Sequence, residues 1–384
     1  MLTKKKSFLW TCCWLVLLYS APLVVAQEKD KENVQRPSST TGQEQAENVL
    51  RVNTRVVFID ALVKDKKKDA PVRNLTRDNF TVLDDGRVRE LTYFSIGSET
   101  RRPRALMLVI DFFGGDGRGF HDKETVAGLA SVLAKLPPED EVAIATTWLG
   151  RDTSPCSPLE PASPNFPPLQ VLQDFTRDRG KIIAALEALP DLVTKYNQKT
   201  IELKDAPQTY EDAASGIPCA AGALRRAAAT RPDSQAIMVV ATDDLVYFSF
   251  TARDEMIRGA LENGITINLL RIRTSFLTGI IASVARKGAS YRKVPGTIDA
   301  VADATQQTGG EIARVGSVKK YVQEFEKLVG NLTSRYTLGF TIEDNEQNTN
   351  RLHKLEIRVK ANDERGKERK VVVSARNGYY LPNE

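Results

Sequence analysis

Short apolar runs alternate with amphipathic stretches through the middle of this chain. Residues 105–110 and 236–242 are apolar runs bounded by polar or turn residues, which is typical of strands buried on both faces. Residues 121–136 and 178–189 carry apolar side chains at helical spacing. Strands that alternate with helices in this way predict an α/β fold with a mostly parallel sheet covered on both faces. Residues 190–218 show neither pattern and are predicted as a long irregular connection.

The regions on either side have the alternating pattern of antiparallel strands. Asp84-Asp85-Gly86 lies among the N-terminal strands and predicts a tight turn, with Gly86 at positive φ. The N-terminal set has too few strands to be stable alone. We therefore expect both sets to join in one β-sandwich, with the α/β region inserted between its halves. The predicted strands are residues 52–63, 79–83 and 88–94 on the N-terminal side, and residues 335–342, 353–360 and 370–381 on the C-terminal side.

The first 26 residues have the three parts of an export signal. Residues 4–6 are lysines, residues 8–21 form an apolar core, and Val24-Val25-Ala26 is a small-residue cleavage site. We therefore expect a secreted or periplasmic protein, the alternative being an uncleaved N-terminal membrane anchor. No later apolar stretch reaches the roughly 20 residues that cross a bilayer, so no membrane span is expected in the mature chain.

These patterns divide the 384 residues into five segments. The segment after the signal is polar and has almost no large apolar residue, so it is predicted to be disordered. The segments are a signal peptide (residues 1–26), a disordered linker (27–49), the N-terminal half of the β-sandwich (50–100), the α/β domain (101–332) and the C-terminal half of the sandwich (333–384).

The net charge bears on nucleic-acid binding, and the cysteines bear on disulfide formation. The formal net charge is +5, and three of the positive charges lie in residues 1–26, so the mature chain is close to neutral. Acidic and basic residues are interspersed, which excludes a nucleic-acid-binding patch. Cys156 and Cys219 remain after signal removal, and in an oxidising compartment they are candidates for a disulfide, two separate thiols being the alternative.

The stretch RALMLVIDFFGGDGRG, residues 104–119, carries the first candidate site residue. Its buried strand ends in Asp111, and open α/β sheets bind ligands at the carboxyl ends of their strands. The glycine-rich loop that follows lacks the Gly-Lys-Ser/Thr of a P-loop. It also lacks the third glycine or alanine of a dinucleotide fingerprint. We therefore expect the function to depend on Asp111.

Motifs at both ends of the α/β region add a resemblance to a known family. The motifs are Val63-Lys64-Asp65, VRNLTRDNF at residues 72–80, VLDDG at 82–86, Thr308-Gly309-Gly310, YTLGF at 336–340 and ARNGYY at 375–380. In these motifs the chain resembles von Willebrand factor A-like proteins of the secreted bacterial, acidobacterial VWFA-related type. The resemblance implies a doubly wound sheet with one antiparallel edge strand, at residues 169–175, and an adhesion-type binding function.

The resemblance also implies a metal-ion-dependent adhesion site at the top of the sheet, where oxygen ligands hold Mg²⁺, Mn²⁺ or Ca²⁺. Asp111 has the position of the aspartate in its Asp-x-Ser-x-Ser motif, but Phe113 and Gly115 stand where the serines belong. We therefore predict a degenerate site, in which Asp111 and Asp243 cap the following loops and helices. The alternative is a carboxylate-rich site of altered geometry. The candidate ligands are Asp111, Asp116, Asp243, Asp244 and, from the middle loop, Thr209 or Ser215.

Together these observations predict an exported, non-enzymatic module that binds another protein or a cell-surface polymer through loops at the top of the sheet. The alternative is a structural or assembly component of the cell envelope with no metal site. A hydrolase that uses His121 is a third option, but the chain has neither a G-x-S-x-G elbow nor an H-E-x-x-H motif.

Overall fold

A computed structural model describes residues 55–96, 102–112, 118–147, 149–151, 169–202, 213–242, 250–272, 299–342, 350–362 and 366–381. Its strands are β1 (Arg55–Asp65), β2 (Phe80–Asp84), β3 (Arg87–Arg89), β4 (Tyr93–Ile96), β5 (Arg104–Asp111), β6 (Glu141–Thr147), β7 (Leu149–Arg151), β8 (Leu169–Thr176), β9 (Ala213–Ser215), β10 (Gln235–Thr242), β11 (Thr266–Ile272), β12 (Ile312–Val315), β13 (Tyr336–Ile342), β14 (Leu352–Val359), β15 (Val371–Ser374) and β16 (Gly378–Tyr380). Its α-helices are α1 (Arg118–His121), α2 (Lys123–Ala134), α3 (Arg179–Glu187), α4 (Leu189–Glu202), α5 (Ile217–Ala229), α6 (Phe250–Glu262), α7 (Ala300–Gln307) and α8 (Tyr321–Leu332).

A six-stranded sheet in the order β12-β11-β10-β5-β6-β8 forms the centre of the α/β unit, which comprises the described residues from β5 to α8. Strand β5 pairs in parallel with both β10 and β6, and β8 runs antiparallel to β6 at the edge. The mostly parallel sheet and its antiparallel edge strand are therefore confirmed. Every residue of β5 is buried, as its continuous apolar run predicts.

Alternate residues of β5 contribute to two separate hydrophobic cores. Leu106 and Leu108 pack in a cluster with side chains of α2, α3, α4 and α8. Met107 and Val109 pack in a second cluster with side chains of α5, α6 and α7. Because neighbouring side chains of a strand point to opposite faces, the sheet is covered by helices on both sides.

Two four-stranded sheets are built from both ends of the chain. Sheet I has the order β15-β1-β13-β4, and sheet II has the order β16-β14-β2-β3. Within them β1 pairs antiparallel with β13, and β2 with β14. Residues from both sheets, including Ile59, Val82, Tyr336 and Tyr379, share one hydrophobic cluster. Each sheet thus takes two strands from the N-terminal side of the α/β unit and two from its C-terminal side.

Two segments predicted as single strands each divide between these sheets, so those two predictions are wrong. Residues 88–94 contribute to β3 in sheet II and β4 in sheet I, and residues 370–381 contribute β15 to sheet I and β16 to sheet II. At the first crossing Leu91 is buried and the Thr92 amide donates to the Gly339 carbonyl. Side-chain alternation is the same in either sheet, so it does not reveal where a strand changes sheet.

The predicted irregular connection at residues 190–218 is also wrong in part, because α4, β9 and the start of α5 lie within it. Pro190 lies in the first turn of α4, where a missing amide proton leaves no helical hydrogen bond unmade. The predicted helix over residues 121–136 corresponds to α2, which begins at Lys123 and is capped by Asp122, whose carboxylate accepts from the amides of Glu124 and Thr125. The predicted export signal and linker lie outside the described residues. In the ranges that the structure describes, no helix has the length and apolar character to span a bilayer.

The turn that follows α7 lies directly against the segment between β15 and β16. Thr308 forms an isolated antiparallel bridge with Arg376, and the Asn377 amide donates to the Gln307 carbonyl at 3.0 Å. Gly309 has φ of +76°, and a Cβ at this position would lie 2.3 Å from the carbonyl carbon of Ala375. The motifs at residues 308–310 and 375–380 therefore meet, and we call this contact the junction.

Two buried arginines extend the junction into sheet I. Arg335 donates to the carbonyl of Gly309 at 2.9 Å, and Arg376 donates to the carbonyl of Phe58. Burial lowers the pKa of both guanidinium groups, that of Arg376 to about 10, while the charge of Asp60 acts in the opposite direction. Both arginines remain cationic at neutral pH and bond backbone carbonyls on either side of the contact.

Asp69 links the loop after β1 to α8, and its ion pairs give the protein a pH-dependent contact. Its carboxylate lies 2.7 Å from Lys64 Nζ and 2.6 Å from Lys327 Nζ. These hydrogen bonds, that of Lys327 first, lower the pKa of Asp69 below its ordinary value of 3.8. The stabilisation is therefore complete above pH 3.8 and is lost as the pH falls through the lower, folded-state pKa.

Asp69→Asn is expected to destabilise the protein slightly at pH 7 and not at pH 2. The loss at pH 7 should be about 0.5 kcal/mol, because the Asp69 side chain is 58% exposed and water screens the pairs. Thermal unfolding of both proteins between pH 2 and 7, followed by circular dichroism, measures the difference. A difference that stays constant down to pH 2 would contradict the assignment.

Candidate functional site

Asp111 is the last residue of β5, at the carboxyl end of the central sheet. In the parallel register it lies beside Thr147, which ends β6, and beside Thr242, which ends β10. All three side chains are buried. The three strand ends therefore bring one carboxylate and two hydroxyls together, and we call this group the threonine–aspartate cluster.

The two hydroxyls bond to different oxygens of the same carboxylate. Thr147 Oγ1 donates to Asp111 Oδ1 at 2.7 Å, and Thr242 Oγ1 donates to Asp111 Oδ2 at 3.2 Å. Asp111 is only 1% exposed. A carboxylate is tolerated at this depth because hydrogen bonds to both oxygens replace part of its lost hydration. The cluster thus ties the ends of three adjacent strands to one another.

Phe112 anchors the chain immediately after this cluster. Its side chain is fully buried and packs edge-on against Phe120 of α1, with ring centroids 6.3 Å apart. Phe120 in turn packs against Tyr321 of α8 at 5.5 Å. The backbone amide of Phe112 donates to the carbonyl of Thr147. The chain at the end of β5 is therefore held by core packing as well as by hydrogen bonds.

Most of the other predicted metal ligands fall on parts of the chain that the structure does not describe. Asp116, Asp243, Asp244 and Thr209 are in this group. Ser215 ends β9, which pairs antiparallel with β7, so that Ser215 lies opposite Leu149. The structure therefore shows Asp111 with two threonines, and the predicted constellation around it stays a prediction.

Cys219 is buried in the first turns of α5 and takes part in a disulfide bond. Its partner lies outside the described residues, as does Cys156. The pairing of these two cysteines therefore stays a prediction.

A second group of titratable side chains lies on sheet II. Strand β2 ends at Asp84, and the tight turn that follows has Asp85 at φ of 48° and Gly86 at φ of 82°. The positive φ predicted for Gly86 is thus confirmed. Pairing of β2 with β14 brings His353 next to this turn, and the ligating atoms of Asp84, Asp85 and His353 lie within 4.8 Å of one another.

Comparisons with known proteins rest on structure alone. No family model matches the sequence, and no curated protein matches it. Among solved structures, BatB from Bacteroides thetaiotaomicron is 13% identical and matches 59% of this chain and 99% of its own, with a TM-score of 0.35. The von Willebrand factor type A structure from Catenulispora acidiphila is 11% identical and matches 79% of this chain and 74% of its own, also at 0.35. The SpRpn10 VWA domain is 14% identical and matches 59% and 94%, at 0.30.

This chain is similar to von Willebrand factor A domain proteins. In the described residues, the six-stranded sheet is mostly parallel with one antiparallel edge strand, as the sequence resemblance implied.

Sequence reasoning missed Thr147 and Thr242, and it read Asp84, Asp85 and His353 as turn and strand residues. Thr242 carried a usable signal, because it ends the predicted strand at residues 236–242. Strand ends that align in a parallel sheet place their last side chains together. The second group carried no such signal, since its members come together only through the pairing of β2 with β14.

Proposed function

We propose that this chain is an exported, non-enzymatic module that binds another protein through the carboxyl end of its central sheet. The observation that carries the proposal is the threonine–aspartate cluster. It fixes three strand ends at the edge where open α/β sheets place their ligands. A rigid base of this kind suits a binding surface, because preformed surfaces lose less conformational entropy when a partner docks.

We further propose that the metal-ion-dependent adhesion site is degenerate. Each oxygen of Asp111 already accepts one threonine hydroxyl, so a cation at Asp111 would share these oxygens with the Thr147 and Thr242 hydrogen bonds. Phe113 and Gly115 offer no side-chain oxygen where the family motif has serines. In this proposal Asp111 holds the strand ends, and the partner is bound without Mg²⁺ or Ca²⁺.

Two observations support export. Residues 1–26 have the basic, apolar and small-residue parts of a signal peptide. Cys219 is disulfide-bonded, and disulfides persist mainly in oxidising compartments outside the cytoplasm.

The domain organisation that we propose is a β-sandwich of sheets I and II with the α/β unit inserted at residues 101–332. Its support is the strand order, since β1 to β4 precede the α/β unit and β13 to β16 follow it, and each sheet mixes the two sets.

Asp111→Ala is expected to lower the free energy of unfolding by about 2–4 kcal/mol, because two buried hydroxyls lose their acceptor. Asp111→Asn is the matched control, since its amide keeps one acceptor oxygen and should cost less. Addition of Mg²⁺ or Ca²⁺ should move the wild-type thermal midpoint by less than about 1 °C. A clear rise with Mg²⁺ that Asp111→Ala abolishes would instead show a working adhesion site.

The binding surface is tested with a photo-crosslinking amino acid placed just before or just after α2. Position 121 precedes α2 and lies towards the carboxyl edge of the sheet, while position 135 follows α2 and lies towards the opposite edge, because the helix crosses back between parallel strands. In producing cells we expect a discrete protein adduct from position 121, unchanged by EDTA. Equal adducts from position 135 would contradict the proposed surface, and loss with EDTA would contradict the degenerate site. Adducts confined to envelope polymer would favour the structural role.

A further inference from the structure

A cleft of about 1170 Å³ opens over the turn between β2 and β3. Its lining includes Asp84, Asp85, Arg351 and His353. It belongs to sheet II, whereas the threonine–aspartate cluster belongs to the six-stranded sheet, so the two sites share no residue.

The two carboxylate oxygens of Asp84, which lines this cleft, differ in the number of hydrogen bonds that they accept. Oδ2 accepts hydrogen bonds from Arg89 Nε at 3.0 Å, from Arg89 Nη2 at 2.9 Å and from the Tyr379 hydroxyl at 3.1 Å. Oδ1 is buried and accepts no hydrogen bond within the described part of the chain, although Asp84 is only 1% exposed. A buried carboxylate oxygen is stabilised by a hydrogen bond or a cation. Asp84 Oδ1 is therefore available to a ligand from outside the chain.

The neighbouring groups have the chemistry and spacing of metal ligands. His353 Nδ1 lies 3.2 Å from Asp85 Oδ2 and 3.9 Å from Asp84 Oδ1. Ligands that sit 2.0–2.2 Å from a Zn²⁺ ion in tetrahedral geometry are roughly 3.3 to 3.6 Å apart. The His353–Asp85 separation is close to this range, and Asp84 Oδ1 lies somewhat farther out, with all three atoms within 4.8 Å of one another. One ion placed among the three atoms would therefore draw the Asp84 carboxylate and its neighbours closer together.

Contacts behind the three side chains hold them in position. The imidazole of His353 is 5% exposed and stacks on the Tyr379 ring, with centroids 4.8 Å apart and planes 16° apart. The Tyr379 hydroxyl in turn donates to Asp84 Oδ2 at 3.1 Å. Partners of this kind orient metal ligands in known metal sites.

We propose that Asp84 Oδ1, Asp85 Oδ2 and His353 Nδ1 bind one divalent transition-metal ion, with Zn²⁺ as the best match. An imidazole ligand favours Zn²⁺ and related ions over Mg²⁺ and Ca²⁺, which prefer oxygen-only sites. Two carboxylates and one neutral imidazole leave coordination positions for water or for a partner's side chain.

Arg351 competes with this ion for Asp85. Its Nη2 atom lies 2.7 Å from Asp85 Oδ2, the same oxygen that faces His353. The Arg351 side chain is 48% exposed, so it can leave the carboxylate for solvent at low cost. Asp85 also accepts from the Lys354 amide through Oδ1, which keeps the carboxylate in place without the arginine. Removal of the arginine charge should therefore strengthen metal binding.

The test is isothermal titration calorimetry of the chelator-treated full chain with Zn²⁺. We expect one Zn²⁺ per chain and no competition from millimolar Mg²⁺ or Ca²⁺. His353→Gln and Asp85→Asn should each weaken binding at least tenfold, and Arg351→Gln should strengthen it at least threefold. His121→Gln is the matched control, because it removes the other histidine of the chain, and it should leave the affinity unchanged.

A second measurement on the wild-type protein covers the case in which a variant fails to fold. X-ray absorption of the Zn²⁺-loaded chain should show one imidazole nitrogen, with oxygen ligands making up the remainder. Absence of stoichiometric binding, binding that His353→Gln leaves intact in a folded variant, or a spectrum without imidazole would overturn the proposal. The outcome is independent of Asp111, since that site is probed with Mg²⁺ and Ca²⁺.

Discussion

Removal of residues 333–384 is expected to abolish ordered pairing of β1, β2 and β4, even though their own residues are unchanged. Strand β1 would lose β13 and β15, its partners in sheet I, and β2 would lose β14. What remains of sheet II is the β2–β3 hairpin, and an isolated two-stranded hairpin is marginal at best in water. The shared core would also lose Tyr336, Leu338, Phe340 and Tyr379.

Hydrogen exchange measured by mass spectrometry on peptides from residues 55–96 checks this expectation. These amides should exchange at the rate of an unfolded chain in the truncated protein and slowly in a control that ends at Leu381. Addition of the 333–384 segment as a separate peptide should restore part of the protection. Dispersed amide spectra from an isolated fragment of residues 50–100 would show that the N-terminal strands fold alone, which would contradict the proposed sandwich.

Gly309→Ala is expected to lower the free energy of unfolding by about 3 kcal/mol or more, because two penalties combine. Gly309 has a positive φ, which costs any residue with a Cβ about 1–2 kcal/mol. The new Cβ would also lie 2.3 Å from the backbone of both Ala375 and Arg376. Backbone atoms cannot rotate away as a flexible side chain does, so the junction itself has to open.

Gly86→Ala separates the two penalties. Gly86 also has a positive φ, of +82°, but nothing lies within 4 Å of a Cβ built there. It should therefore show the conformational cost alone, about 1 kcal/mol. Urea unfolding of both variants measures the difference. Equal losses would mean that the close approach of residues 308–310 to 375–377 does not contribute to stability.

The motifs that carried the family resemblance acquire a physical role in the structure. Thr308-Gly309-Gly310 and residues 375–380 are far apart in sequence but meet at the junction. Gly309 and Gly310 leave no room for a side chain, because neighbouring backbone lies directly against them. A Cβ on Gly310 would lie 1.8 Å from the carbonyl oxygen of Ile267. The sequence marked these residues as a signature, and the structure supplies the reason, which is close packing of the α/β unit against the C-terminal strands.

The position of the threonine–aspartate cluster could be predicted from the sequence, but the residues that bond to Asp111 could not all be predicted. The apolar run of β5 ending in Asp111 was sufficient to place a carboxylate at the carboxyl edge of the sheet. The hydroxyls that bond to it come from β6 and β10, and their proximity depends on the register of three strands. The Asp84, Asp85 and His353 group depends entirely on pairing between β2 and β14.

Local pattern was sufficient for the buried strands β5 and β10, for helices α2 and α3 and for the turn at Gly86, while the antiparallel edge strand was implied by the family resemblance. Periodicity and turn chemistry depend on residues near one another in the chain, so one sequence carries that information. The division of residues 88–94 and 370–381 between two sheets, the junction, and the partners of Asp111 and Asp84 were decided by tertiary structure. Each of these depends on which distant backbone lies alongside, and that is set by burial of a shared core that no local stretch can form alone.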